Sequence, residues 1–131
     1  MESIAWGHGV AIEGTPFRTV VAAGDTRGQL VALAADMPPG LHVDAHVHPD
    51  EEQIDIVIEG TVTCRVGTEW FRVGPGGTVC VPCGVEHELR NDTDQVARLV
   101  NLYTPPGMEL VFAAGGRATL ADASPADAAR S

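Results

Sequence analysis

No lysine occurs anywhere in the 131 residues. That removes Schiff-base chemistry on the chain's own amines, both lysine-anchored pyridoxal phosphate and lysine-dependent aldol steps. Positive charge is scarce in general: 8 arginines stand against 18 acidic residues, for a formal net charge of -10. Such a balance argues against nucleic acid and against anionic membrane surfaces as partners. No apolar run approaches the roughly 20 residues of a membrane span. The first residues lack a charged-then-apolar leader, so a cytoplasmic chain is expected. Cysteine is sparse and odd in number, at 3 residues, which suits a reduced compartment better than a disulfide framework. Cys80 and Cys83 make a single C-x-x-C with no second pair to complete a zinc ribbon and no βαβ pattern around it. The two read as structural thiols rather than as a redox couple. Neither a long helical period nor an internal repeat is present.

What the chain does contain is a series of short β-branched or alternating runs, at 17–23, 29–36, 53–59, 61–66, 70–73, 78–81 and 96–103. They are separated by turn residues, among them Gly24-Asp25, Pro38-Pro39-Gly40, Gly60, Gly67, Gly74-Pro75-Gly76-Gly77 and Asn91-Asp92. Many short strands with regular turns predict an all-β sandwich or barrel. Pro105-Pro106 ends the last strand, and one short helix at most follows, over 108–114. From Gly115 onward the composition is that of a disordered tail. The expected organisation is one β-barrel domain over residues 1–114 and an Ala-rich tail over 115–131.

Two spaced patterns occupy the middle of the chain. The first runs Gly40, five residues, His46-x-His48, four residues, Gln53, six residues, Gly60; the second runs Gly76, five residues, Pro82-x-Gly84, two residues, His87, three residues, Asn91. His46 and His48 are two apart, so on a strand their side chains share a face. Gln53 is odd-spaced from them and requires the turn that Pro49-Asp50-Glu51-Glu52 can form. Three imidazoles and one oxygen donor suit a divalent transition metal better than magnesium or calcium, which usually collect carboxylates. Glu52 is the rival fourth donor, but it points to the opposite pleat face, and Gln53 is preferred. By the same alternation Asp44 and His42 share the face of His46 and His48. Asp55 lies two beyond Gln53, and Asn101 and Tyr103 fall on one face of the last strand with Leu99.

These two patterns resemble the paired signatures of the cupin family, small β-barrels that hold a metal in the barrel mouth. The resemblance covers about residues 32–106, and it departs at one position, Gln53, where most cupins have a glutamate ligand. It implies a double-stranded β-helix or jelly-roll barrel and one divalent ion (zinc, iron, nickel or manganese) on His46, His48, Gln53 and His87. It also implies a small-molecule substrate and a homodimer. Such folds host many activities, so function has to come from the site. The stretch ending Leu102-Tyr103-Thr104-Pro105-Pro106-Gly107 resembles small bacterial cupins grouped with quercetin dioxygenases. The ligand set is similar to that of cupins that linearise unsaturated uronates, but the Asp of that group's last strand is matched here by Asn101.

Three imidazoles and a neutral amide leave a divalent ion its full formal charge, which strengthens it as a Lewis acid. The expectation is therefore a metal-dependent isomerase, tautomerase or cyclase acting on an enolisable carbonyl. In it Asp55 and Tyr103 are catalytic candidates, and Asn101, His42 and Asp44 line the substrate pocket. An O2-dependent dioxygenase of the quercetinase kind and a non-catalytic binding barrel are the alternatives.

Overall fold

The structure is a computed structural model that describes residues 9–114; the tail expected over 115–131 lies outside them. The described residues form ten strands: β1 Val10–Ala11, β2 Phe17–Val21, β3 Val31–Met37, β4 His42–His46, β5 Glu52–Glu59, β6 Val62–Val66, β7 Glu69–Val73, β8 Thr78–Val81, β9 His87–Arg90 and β10 Ala97–Thr104. One helix follows, α1, Met108–Ala113. Two antiparallel sheets result, one of order β1-β2-β3-β10-β5-β8 and one of order β4-β9-β6-β7. This is the jelly-roll arrangement expected from the run-and-turn pattern. Among the described residues no helix is long and apolar enough to cross a membrane.

Alternation decides what faces inward. Along β10, Ala97, Leu99, Asn101 and Tyr103 are buried while the residues between them are less so. Along β5, Gln53, Asp55 and Val57 are buried. The interior is consequently layered. An apolar cluster of Met37, Val57, Val62, Cys64, Val79, Val81, Ala97 and Leu99 fills one part. A second, containing Phe17, Val31, Leu33, Tyr103, Met108 and Phe112, fills another. On β10, Asn101 stands between Leu99 of the first cluster and Tyr103 of the second.

Two residues of the spaced patterns serve the fold. Gly60 has φ +79, and a Cβ there would lie 2.7 Å from the Val96 carbonyl oxygen and 2.8 Å from Ala97 Cα. Only glycine accepts both the left-handed backbone and the close approach. Asn91 is fully buried, and its side chain closes the β9–β10 turn. Nδ2 donates to the carbonyls of Met37 (2.9 Å) and Gln95 (2.8 Å), and Oδ1 accepts from the Thr93 amide (3.0 Å) and hydroxyl (2.7 Å). Replacing Asn91 by alanine removes all four bonds and takes this donor from the buried Met37 carbonyl. A loss of about 3 kcal/mol is expected, measurable as a lower midpoint in chemical denaturation.

The three cysteines are free. Cys83 donates its thiol hydrogen to the Pro49 carbonyl (2.8 Å), and the Cys83 amide donates to Glu52 Oε2 (2.9 Å), so the Pro82–Gly84 corner is tied to the turn after His48. Cys80 is exposed on β8, whereas Cys64 is buried in the core and burial pushes its thiol up to about 11. A thiol reagent at neutral pH should titrate two groups in the native protein and the third only after unfolding.

Candidate metal centre

The three histidines reach one point from two strands and a loop. His46 ends β4, His87 opens β9 directly opposite it, and His48 follows in the turn. All three are buried, and their ligand atoms lie within 4.8 Å of one another. Backbone carbonyls set the ring orientations: His46 Nδ1 bonds the Asp44 carbonyl at 2.7 Å and His87 Nδ1 the Val85 carbonyl at 3.0 Å. Donation from Nδ1 leaves the Nε2 of His46 and of His87 unprotonated, the tautomer a metal requires. His46 Nε2 and His48 Nε2 are 3.1 Å apart; such a contact between ring nitrogens needs a proton or a cation. His87 Nε2 and Gln53 Oε1 are buried with no hydrogen-bond partner.

Burial, then the neighbouring His46 and His87, lower the pKa of His48 to about 3, against a smaller opposing effect of Gln53. Burial and His46 lower that of His87 to about 4. Both rings are therefore neutral at pH 7. Neutral imidazoles, with His87 Nε2 and Gln53 Oε1 orphaned beside them, fit a divalent transition ion, which His46, His48 and His87 would hold with Gln53 Oε1 as oxygen donor. Glu52 is not brought to the site: it is exposed and bonds the Cys83 amide.

Next to this donor set lies a buried carboxylate. Gln53 Nε2 donates to Asp55 Oδ1 at 2.9 Å and to Oδ2 at 3.0 Å, and Asn101 Nδ2 donates to Oδ1 at 2.5 Å. Burial raises the Asp55 pKa to about 6 despite the lowering by the Asn101 and Gln53 hydrogen bonds. Asn101 Oδ1 is left without a partner. Tyr103 packs edge-on to His48, ring centroids 6.0 Å apart, and burial, with Asp55 and Glu51 adding to it, holds its phenol protonated. The cavity bounded by His46, His87, Gln53, Asp55, Asn101 and Tyr103 gives about 30 Å³ to the centre of a water molecule. That is room for about two waters.

Two expected pocket residues are elsewhere. The β4–β9 register pairs Val43 with Leu89 but His46 with His87, so three steps on β4 match two on β9. This bulge reverses the alternation. Val43 consequently lines the cavity, while His42, opposite Arg90, faces out with its side chain 45% exposed and 3.7 Å from Asp92. Asp44 sits within the bulge and contributes its carbonyl to His46. The inward placement expected of His42 and Asp44 is corrected accordingly. Sequence reasoning missed Val43, and also Phe17 and Phe112, whose parallel rings (centroids 4.5 Å apart) form another part of the wall. Nothing local in the sequence marks the bulge or that long-range pair.

A family model described as a cupin domain matches residues 34–103, more than half of the chain. The chain belongs to the cupin family. The protein "Polyketide synthase CurC" of Streptomyces cyaneus is 32% identical over 87 residues, which are 66% of this chain and 55% of that protein; this cupin thus spans little more than half that relative's length. TT1209 from Thermus thermophilus matches with TM-score 0.57 at 28% identity, over 60% of this chain and 74% of that one. A predicted oxalate decarboxylase from Thermotoga maritima matches with TM-score 0.65 at 14% identity, over 69% and 79%. That last likeness shows the fold alone.

The depressed imidazole pKa values predict a pH signature in the metal-free protein. Unfolded His48 takes up a proton near pH 6.5 that the folded side chain refuses until about pH 3, so this group subtracts stability as pH falls through that window. Asp55, with its raised value, acts in the opposite sense between about 4 and 6. His48→Gln should therefore flatten the loss on acidification relative to wild type, by up to one proton, about 1.4 kcal/mol per pH unit. Thermal unfolding from pH 7 to pH 4 measures the difference.

Proposed function

We propose that this cupin is a metal-dependent enzyme of isomerase, tautomerase or cyclase type that moves a proton on a small molecule with an enolisable carbonyl. The observation that carries the proposal is the buried Asp55 carboxylate in the same cavity as a donor set with no charge of its own. A divalent ion on His46, His48, His87 and Gln53, when bound, supplies Lewis acidity toward a substrate oxygen.

The chain's own groups account for the rest. Asp55 Oδ1 is occupied by two N–H groups, whereas Oδ2 takes a single one at 3.0 Å and keeps lone-pair capacity. Oδ2 is thus the atom that accepts a proton from carbon next to a carbonyl. A pKa near 6 lets it return that proton at neutral pH. Asn101 Oδ1, otherwise unpartnered, accepts from a substrate hydroxyl. Tyr103, kept protonated by burial, serves in this reading as a donor to the substrate. Val43, Val79, Val81 and Leu99 give the same cavity an apolar wall.

The likeness to a protein named as a polyketide synthase supports this substrate class, since polyketide chains carry carbonyl groups flanked by acidic C–H bonds. The test is deuterium exchange at the central carbon of a simple β-diketone or β-keto ester, followed by NMR with metal-loaded protein. Exchange above the buffer rate is expected, abolished by a chelator. It should fall by about 100-fold or more in Asp55→Asn assayed at saturating metal. Oxygen uptake during turnover would replace this reading with that of a dioxygenase. Absence of any exchange would leave a binding barrel.

A further inference from the structure

We propose that Asp55 is the positioning residue that decides which end of the Gln53 amide faces the histidines, and that this polarity is why glutamine rather than glutamate occupies position 53. The inference rests on the donor set and not on the reaction proposed above. A primary amide has a donating and an accepting end, and a carboxylate only accepts. Both Asp55 oxygens take hydrogen bonds from Gln53 Nε2, at 2.9 and 3.0 Å. The amide is thereby turned with Oε1 away from Asp55. That oxygen is buried without a hydrogen-bond partner, as is His87 Nε2. Asn101 Nδ2 donates to Asp55 from the other side, so the donors on both flanks point at one carboxylate and the free oxygen of Gln53 is left for a cation.

Glutamate at position 53 would set an acceptor against an acceptor and leave the buried Asp55 short of donors, a costly arrangement in a sealed interior. Asparagine at position 55, with its oxygen held by Asn101, would present N–H to Gln53 and turn the amide over, aiming N–H at the imidazoles. With Asn101 held as it is and carboxyls ionised, two combinations are complementary across this contact and also leave an oxygen facing the histidines: the native glutamine with aspartate, or glutamate at position 53 with asparagine at position 55. The two positions are therefore coupled through this one contact.

The experiment is a double-mutant cycle read by metal binding, with Zn²⁺ and Ni²⁺ competed against a chromophoric chelator. Q53E and D55N should each weaken binding about 10- to 100-fold, as loss of a ligand's orienting partner does. Q53E/D55N should recover most of that loss. Wild-type affinity in either single variant, or losses that simply multiply in the double variant, would overturn the proposal. Circular dichroism and thermal unfolding of the metal-free forms establish folding. If a single variant does not fold, recovery of folding and metal binding in Q53E/D55N supports the coupling, and failure of the double variant overturns it.

Discussion

A carboxylate sealed inside a barrel must be surrounded by donors, because an uncompensated buried charge costs several kcal/mol. Asp55 meets that demand through strand register. Asn101 is its direct partner across the β5–β10 ladder, and Tyr103 stands opposite Gln53 in the same ladder. A slip of one residue between these strands would turn Asn101 outward and strip the carboxylate of a donor. The polar layer and the apolar clusters beside it therefore specify one register together. Burial of Leu99 and Tyr103 favours it, and the hydrogen bonds to Asp55 penalise the alternatives.

Where strands are regular, period-two reading gave the inward face correctly: Gln53, Asp55, Leu99, Asn101 and Tyr103 are all buried. The same rule failed on β4, because an extra residue between Val43 and His46 changes the parity halfway along the strand. No turn residue or glycine announces that bulge, and the histidines alone do not distinguish a regular strand from a bulged one. Ring orientation was also hidden, since it is set by the main-chain carbonyls of Asp44 and Val85 rather than by any side chain. Asn91 was visible as a fixed position in a pattern, but its work in tying the β9–β10 turn to Met37 emerges only in three dimensions. The Phe17–Phe112 pair joins segments too distant in sequence for any local signal.

Family membership accounts for the scaffold and for a cluster of three histidines that could hold a metal ion, and it stops there. The relatives' names span different chemistries, as expected when one barrel carries many interiors. What distinguishes this interior is a donor set without charge beside a carboxylate held by two amides. Those side chains belong to neighbouring strands, so a change at one of them alters the hydrogen bonding of the others.

Most of the cavity wall is sheet, stiffened by ladders on either side, but the stretch at Phe112 belongs to a helix of six residues. Phe112 stacks on Phe17 and meets Tyr103 edge-on, and Tyr103 in turn abuts His48. A helix this short owes its order to packing rather than to its own hydrogen bonds. The width of the chamber is thus governed by its least cooperative boundary, and a shift of the backbone after Gly107 would be felt, ring by ring, at an imidazole.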